Sequence, residues 1–135
     1  MKANEKMVED YFNNVLQKLL ISHAVFSFKV LRRVIGDEDG FIRVICRLTN
    51  GDIFEFAEYV QTHTNKMSIM TYSFHWQSAN GKLVKRWDNV PHHNEVDTYP
   101  HHLHLSNGKV IGSAAMNLNK VLEEIEKIIP IDKET

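Results

Sequence analysis

The hydrophobic positions of this chain repeat at a helical period near both ends and at a strand period between them. The first twenty residues predict a helix with one broad buried face, formed by Met7, Val8, Tyr11, Phe12, Val15, Leu16, Leu19 and Leu20. A second helix is predicted near the end, with Asn117 as its N-cap and Pro130 as its stop. Its apolar positions are Leu118, Val121, Leu122, Ile125 and Ile129.

Between the helices, apolar and polar residues alternate, as is typical of strands with one buried face. Asn50-Gly51 and Asn80-Gly81 are strong signals for tight hairpins. The sequence therefore predicts an α+β fold in a single domain, 1–135, with an antiparallel meander of five or six strands and both helices packed on one face. The strand segments are 26–31, 41–49, 52–60, 66–77 and 82–88, with a short sixth segment at 101–105.

The alternation also assigns side chains to the two faces of the sheet. We expect two apolar series to face the helices: Phe26, Phe28 and Val30, then Met70, Tyr72, Phe74 and Trp76. The other face would be open and polar. It would carry Lys29, Arg43, Arg47, Glu55, Thr71, Ser73 and His75, which makes a basic surface with a titratable edge.

Composition narrows the function classes. The chain has 135 residues, 43% hydrophobic and 24% charged, which is ordinary for a globular domain. Its net charge of −1 gives no global attraction to nucleic acid, so any such binding needs a local patch. One cysteine, Cys46, excludes an internal disulfide framework, and no signal peptide or membrane span is visible. We therefore expect a cytoplasmic protein.

Histidines concentrate in one part of the chain. Six of the eight lie between Tyr72 and Leu105, interleaved with aromatic and acidic residues. Histidine titrates near working pH and ligates metals, so this concentration favours acid–base chemistry or metal binding over core building. The alternative is a structural network whose histidines cap backbone groups and stack.

Acid–base cleavage of RNA needs a base, an acid and a cation beside the phosphate, and two histidines with an arginine supply all three without a metal. The candidate catalytic residues are His75, Arg86, Asp88, His102 and His104, with Asp88 orienting a ring nitrogen. Lys85 and Arg86 point to opposite faces, so one of them can serve that site. The candidate RNA-binding residues are Lys29, Arg43, Arg47, Lys85 and Trp87, the last as a stacking plane for a base.

A second interpretation is a metal-binding or protein-interaction module in which the histidines are structural. The first interpretation requires no cofactor. The only cofactor that the sequence leaves open is a divalent metal. The ligands would be His92, His93, His102 and His104, although no HExxH or CxxC motif fixes their spacing. Nucleotide transfer is a third option, but the carboxylate pairs that usually hold its magnesium are missing.

Four motifs carry a family resemblance. YSFHWQ (72–77), Asn80-Gly81-Lys82, RWDNVPHH (86–93) and YPHHLH (99–104) are similar to TumE-like proteins, toxin components of prokaryotic type II toxin–antitoxin pairs. The similarity extends over nearly the whole chain. It implies a toxin, a ribonuclease or other RNA-binding protein, paired with a cognate antitoxin that binds DNA. It assigns no catalytic residues, and a homodimer is left open.

Overall fold

A computed structural model describes residues 1–131, which form two helices and one seven-stranded antiparallel sheet. The strands lie in the sheet in chain order, so the sheet is a meander in which each strand pairs with the next. The elements are α1 (Ala3–Ile21), β1 (Val25–Ile35), β2 (Asp39–Leu48), β3 (Ile53–His63), β4 (Lys66–Gln77), β5 (Leu83–Asp88), β6 (His102–Leu105), β7 (Val110–Gly112) and α2 (Leu118–Ile128).

The predicted α+β class is confirmed, and the predicted strand count of five or six is wrong by one or two. The additional strand is β7, which pairs with β6 after the turn at Asn107-Gly108. It has three residues, two of them exposed, and is therefore too short to produce an alternating pattern.

Both helices contribute buried side chains to one apolar core on one face of the sheet. The rings of Phe54, Phe56 and Phe74 stack within it, with centroids 5.5 to 6.3 Å apart. Asn117 caps α2 as predicted, because its side-chain oxygen accepts from the Lys120 amide at 2.9 Å. Trp76 is 1% exposed in the core, and its Nε1 donates to Asp52 at 2.9 Å.

Helix α1 approaches the sheet closely at one glycine. A Cβ at Gly40 would lie 2.5 Å from Cγ1 of Val8 and 3.1 Å from the ring of Phe12. Both of these residues are fully buried on the inner face of α1. Because Gly40 has no side chain, α1 can pack closely against the start of β2.

Three predicted core positions are wrong. Leu20, at the end of the buried face predicted for α1, is 68% exposed. The other two lie in strands, where β-bulges change which residues face the helices. Phe26 lies where the β1–β2 register shifts and is 72% exposed. Met70 lies at the β3–β4 shift and is 45% exposed, while its neighbour Ile69 packs against the core. An extra residue in a strand reverses the alternation beyond it, so period-two counting fails there.

No helix among residues 1–131 is long and apolar enough to span a membrane.

Candidate acid–base site on the open face

Strand register aligns the polar residues of the open face in two rows. In one row, Ser73 on β4 pairs with Asp88 on β5, and Asp88 pairs with His102 on β6. In the neighbouring row, His75 pairs with Arg86, which pairs with His104. Directly paired residues project to the same side of a sheet, so both rows lie opposite the helices. The structure therefore brings together all five candidate catalytic residues, His75, Arg86, Asp88, His102 and His104.

Asp88 is the centre of this arrangement and has 3% of its surface exposed. Its Oδ1 accepts the Val90 amide at 3.0 Å and lies 2.9 Å from Nε2 of His102. Its Oδ2 accepts Nε–H of Arg86 at 3.1 Å and lies 3.4 Å from Nε2 of His104. A buried carboxylate is costly without partners, and this one has a backbone amide, a guanidinium and two imidazoles.

The position of the protons on His102 follows from its contacts. Its Nδ1 lies 2.9 Å from the carbonyl oxygen of Pro100, an acceptor, so this nitrogen carries a hydrogen. Its Nε2 then faces a carboxylate oxygen of Asp88 and Nε2 of His104, 3.1 Å away. Both neighbours of this nitrogen are groups that can bind a hydrogen. With 2% exposure, His102 is closed to solvent.

His104 is the more exposed of the two histidines on β6, with 28% of its side chain exposed. Burial is the main cause that lowers the pKa of His104. Asp88 raises that pKa, whereas the charges of His102, His93 and Arg86 lower it. His104 is therefore the histidine of β6 that can reach both a substrate and the Asp88 carboxylate.

On the other side of Arg86, His75 completes the second row. Nη1 of Arg86 donates to Nδ1 of His75 at 3.3 Å, and Nε2 of His75 donates to Oε1 of Gln77 at 3.0 Å. These two contacts fix the tautomer of a neutral His75 with its hydrogen on Nε2. Arg86 is thus flanked by an imidazole on each neighbouring strand.

His93 joins the group from the loop after β5. Its ring centroid lies 4.8 Å from that of His102 and 5.4 Å from that of His104. Each of these three histidines places one ring nitrogen within 4.8 Å of the others. Nδ1 of His93 lies 3.0 Å from Oε1 of Glu95. Exposed His92, the fourth ligand of the predicted metal set, is not part of this group.

Three candidate RNA-binding residues lie on the open face. Lys29 pairs with Ile45, and Arg47 pairs with Ser27, so both are on the side of Arg43. Arg43 makes a 2.9 Å salt bridge to Glu55. A shallow groove runs across the sheet from Phe41 and Arg43 past Ser73 and Val90 to Arg86.

The other two candidates, Lys85 and Trp87, lie on the opposite face of the sheet. Trp87 pairs with core residue Phe74 and is 3% exposed, so its ring is unavailable for stacking on a base. The Nζ of Lys85 lies 5.9 Å from the centre of the Trp87 ring, on the same side of β5. The predicted role of Trp87 therefore requires correction, and Arg86 is the cation of β5 that faces the site.

A comparison with protein families gives the chain its relatives. The family model described as "Toxin TumE" matches residues 13–129, which include all seven strands and α2. The chain belongs to the TumE toxin family. The resemblance found in the sequence is thus confirmed, and membership of a toxin family implies an antitoxin partner. Searches of curated proteins and of solved structures gave no match.

In this TumE-family chain, the structure places aromatic side chains on the open face that the sequence interpretation did not select. Phe41 pairs with Tyr59, and both border the groove that leads to Arg86. The guanidiniums of Arg32 and Arg43 lie 6.0 and 5.8 Å from the centre of the Phe41 ring. The signal was present in the sequence, because Phe41 belongs to the same alternating series as Arg43 and Arg47.

Proposed function

We propose that this TumE-family protein is the toxin of a type II toxin–antitoxin pair and that it cleaves RNA by histidine acid–base chemistry. The observation that carries the proposal is the row His75–Arg86–His104 across three adjacent strands. Two imidazoles flanking one guanidinium supply the base, acid and cation that RNA cleavage requires.

The spacing of the row suits one phosphodiester. Neighbouring strands lie about 4.8 Å apart, so the backbones of His75 and His104 are separated by roughly 10 Å with Arg86 between them. Arg86 has five N–H donors, and its contacts to Asp88 and His75 use two of them. The remaining donors can bind phosphate oxygens and stabilise the charge that develops there.

The proposed step needs no further reactant. One histidine of the row removes the proton of a 2′-hydroxyl, and that oxygen forms a bond to the adjacent phosphorus. The bond from phosphorus to the 5′-oxygen breaks, and the other histidine supplies the proton to that leaving oxygen. The products are a 2′,3′-cyclic phosphate and a free 5′-hydroxyl. Asp88 and buried His102 position Arg86 and His104 through the contacts described above.

The groove on the open face gives the RNA strand a path to this row. It begins at Phe41 and Arg43 and ends at Arg86, so it has a cation at each end. Lys29 and Arg47 extend the positive charge towards β1, and Phe41 offers a ring on which a base can stack. This local patch would attract RNA although the chain as a whole carries no net positive charge.

The partner in this proposal is a cognate antitoxin that binds DNA, and both proteins act in the cytoplasm. The antitoxin would suppress the growth arrest that the toxin alone produces. A pair of expression strains, with and without the neighbouring gene product, tests this part of the proposal directly.

The test of the chemistry is cleavage of a defined RNA by untagged protein in excess chelator. Wild-type protein should give products that end in a cyclic phosphate, and Arg86→Gln should lower the rate by about 10²-fold or more. Asp97→Asn, an exposed substitution in the loop after β5, is the matched control and should leave the rate unchanged. Intact RNA with the wild-type protein, together with normal growth without an antitoxin, would contradict the proposal.

A further inference from the structure

Three imidazoles converge where β5 ends and β6 begins, and the Asp88 carboxylate contacts two of them. We propose that His93, His102, His104 and Asp88 form a binding site for one divalent transition metal of the zinc class. Three nitrogen donors with one oxygen donor suit zinc, cobalt, nickel or copper, whereas magnesium and calcium prefer oxygen alone.

The distances between the donor atoms fit a tetrahedral ion. Zinc lies about 2.0 to 2.1 Å from imidazole nitrogen, so tetrahedral ligand atoms lie about 3.3 Å from one another. Nε2 of His102 lies 3.1 Å from Nε2 of His104 and 2.9 Å from Oδ1 of Asp88. Nε2 of His104 lies 3.4 Å from Oδ2 of Asp88. Each histidine nitrogen therefore already lies close to its bound separation from one of the two Asp88 oxygens, and the carboxylate would turn slightly to give a single oxygen to the ion.

His93 supplies the fourth donor from the loop. The ring nitrogens of His93, His102 and His104 lie within 4.8 Å of one another, so His93 approaches by a small movement. About a third of its side chain is exposed, which leaves the ring free to make that movement. His104 is also partly exposed, so the ion has a route from solvent between these two rings.

The second ring nitrogens of the proposed histidine ligands have partners that are typical of a metal site. Ligating histidines almost always donate their second ring nitrogen to a carbonyl or carboxylate, which turns the other nitrogen's lone pair towards the ion. Nδ1 of His102 faces the Pro100 carbonyl at 2.9 Å, and Nδ1 of His93 faces the Glu95 carboxylate at 3.0 Å.

The Asp88 carboxylate is held in the same way, by the Val90 amide and the Arg86 guanidinium. This inference needs neither RNA nor an antitoxin, so it stands or falls separately from the proposed function.

Metal binding is tested on the full chain made without a histidine tag and stripped with chelator. Zn²⁺ is titrated calorimetrically, and Co²⁺ is added to read coordination from its visible spectrum. We expect one ion per chain and tetrahedral cobalt bands. His93→Ala should weaken Zn²⁺ binding by about 10²-fold, and Glu95→Gln by about tenfold, because it weakens the support behind His93.

The matched control is His92→Ala, which removes the adjacent, exposed histidine that lies outside the cluster. Both histidine variants are in the loop, so they should keep the fold of the wild type. Unchanged Zn²⁺ affinity in His92→Ala, with a loss in His93→Ala, supports the site. Equal losses in the two variants, no loss in His93→Ala, or octahedral cobalt bands would overturn it.

Discussion

Nε2 of His102 lies 2.9 Å from Oδ1 of Asp88, with 2% and 4% of the two side chains exposed. A charged group in such a site is stable when its hydrogen-bonding capacity is filled. The Asp88 carboxylate contacts the guanidinium of Arg86 and the imidazoles of both β6 histidines, so it connects the two rows of the open face. The arrangement of the whole site depends on this one charge.

Asp88→Asn should therefore reduce RNA cleavage and growth arrest by about 10- to 100-fold while keeping the fold. Asparagine retains one oxygen acceptor but introduces an NH₂ donor beside Arg86 and the imidazoles. Their preferred orientations and proton positions then change. Cleavage rates in excess chelator, with circular dichroism of the same samples, measure the two effects separately.

A variant with normal cleavage would contradict the positioning role of Asp88. An unfolded variant would assign Asp88 to stability, because the buried carboxylate has partners on three sides, Arg86, Val90 and His102.

His75→Ala and His104→Ala should each lower the rate of RNA cleavage by about 10²- to 10⁴-fold, the usual contribution of a positioned acid or base. Each substitution removes one of the two imidazoles that flank Arg86. His63→Ala, at an exposed position at the end of β3, is the control and should cleave RNA like the wild type. If either substitution in the row leaves the rate unchanged, that histidine exchanges no proton with the substrate.

The gathering of His75, Arg86 and His104 could be predicted because it depends on simple strand rules. Alternation placed His75 on the open face and put Lys85 and Arg86 on opposite faces, and the Asn80-Gly81 turn placed β5 beside β4. The α+β class followed from the same periodicities. Local sequence patterns thus contained the parts of the site that lie on paired strands.

Other features depend on contacts that local patterns do not contain. The position of His93 over the β6 histidines depends on the path of the 89–101 loop, which has no periodicity. The burial of Trp87 follows from its pairing with Phe74, although tryptophan is also common at stacking surfaces. The bulges at Phe26 and Met70 arise from pairing between strands and leave no mark in the alternation.

One equivalent of Zn²⁺ should suppress RNA cleavage, and excess chelator should restore it. A bound ion would occupy Nε2 of His104, so that nitrogen could no longer exchange a proton with RNA. Mg²⁺ at the same concentration is the control and should not inhibit, because it prefers oxygen ligands. Cleavage that instead requires Zn²⁺ would contradict the metal-independent chemistry while leaving the metal site intact.

Glu58 gives the fold a pH dependence of its own, away from the candidate site. It lies on β3 beneath α1 and is fully buried, and the hydroxyl of Tyr11 donates to its two oxygens at 2.7 and 2.9 Å. Burial raises the pKa of the Glu58 carboxyl above its ordinary value of 4.5, although Tyr11 and Lys18 act in the opposite direction. The folded state therefore holds this proton more tightly than the unfolded state.

The free energy of unfolding should fall as the pH rises from about 4.5 through the raised pKa of Glu58, since the folded protein binds more protons in that range. One proton contributes a slope of up to about 1.4 kcal/mol per pH unit.

The glutamine in Glu58→Gln cannot ionise, and it keeps an oxygen for the Tyr11 hydroxyl. Its stability relative to the wild type should therefore increase with pH across this window and become constant above it. Urea unfolding of both proteins between pH 4 and 8 measures the difference. Tyr11→Phe is the companion variant, and it should lose about 1 to 3 kcal/mol of stability, because the buried Glu58 side chain loses its hydrogen-bond partner. A difference between Glu58→Gln and the wild type that is independent of pH would show that Glu58 has the same pKa in the folded and unfolded chains.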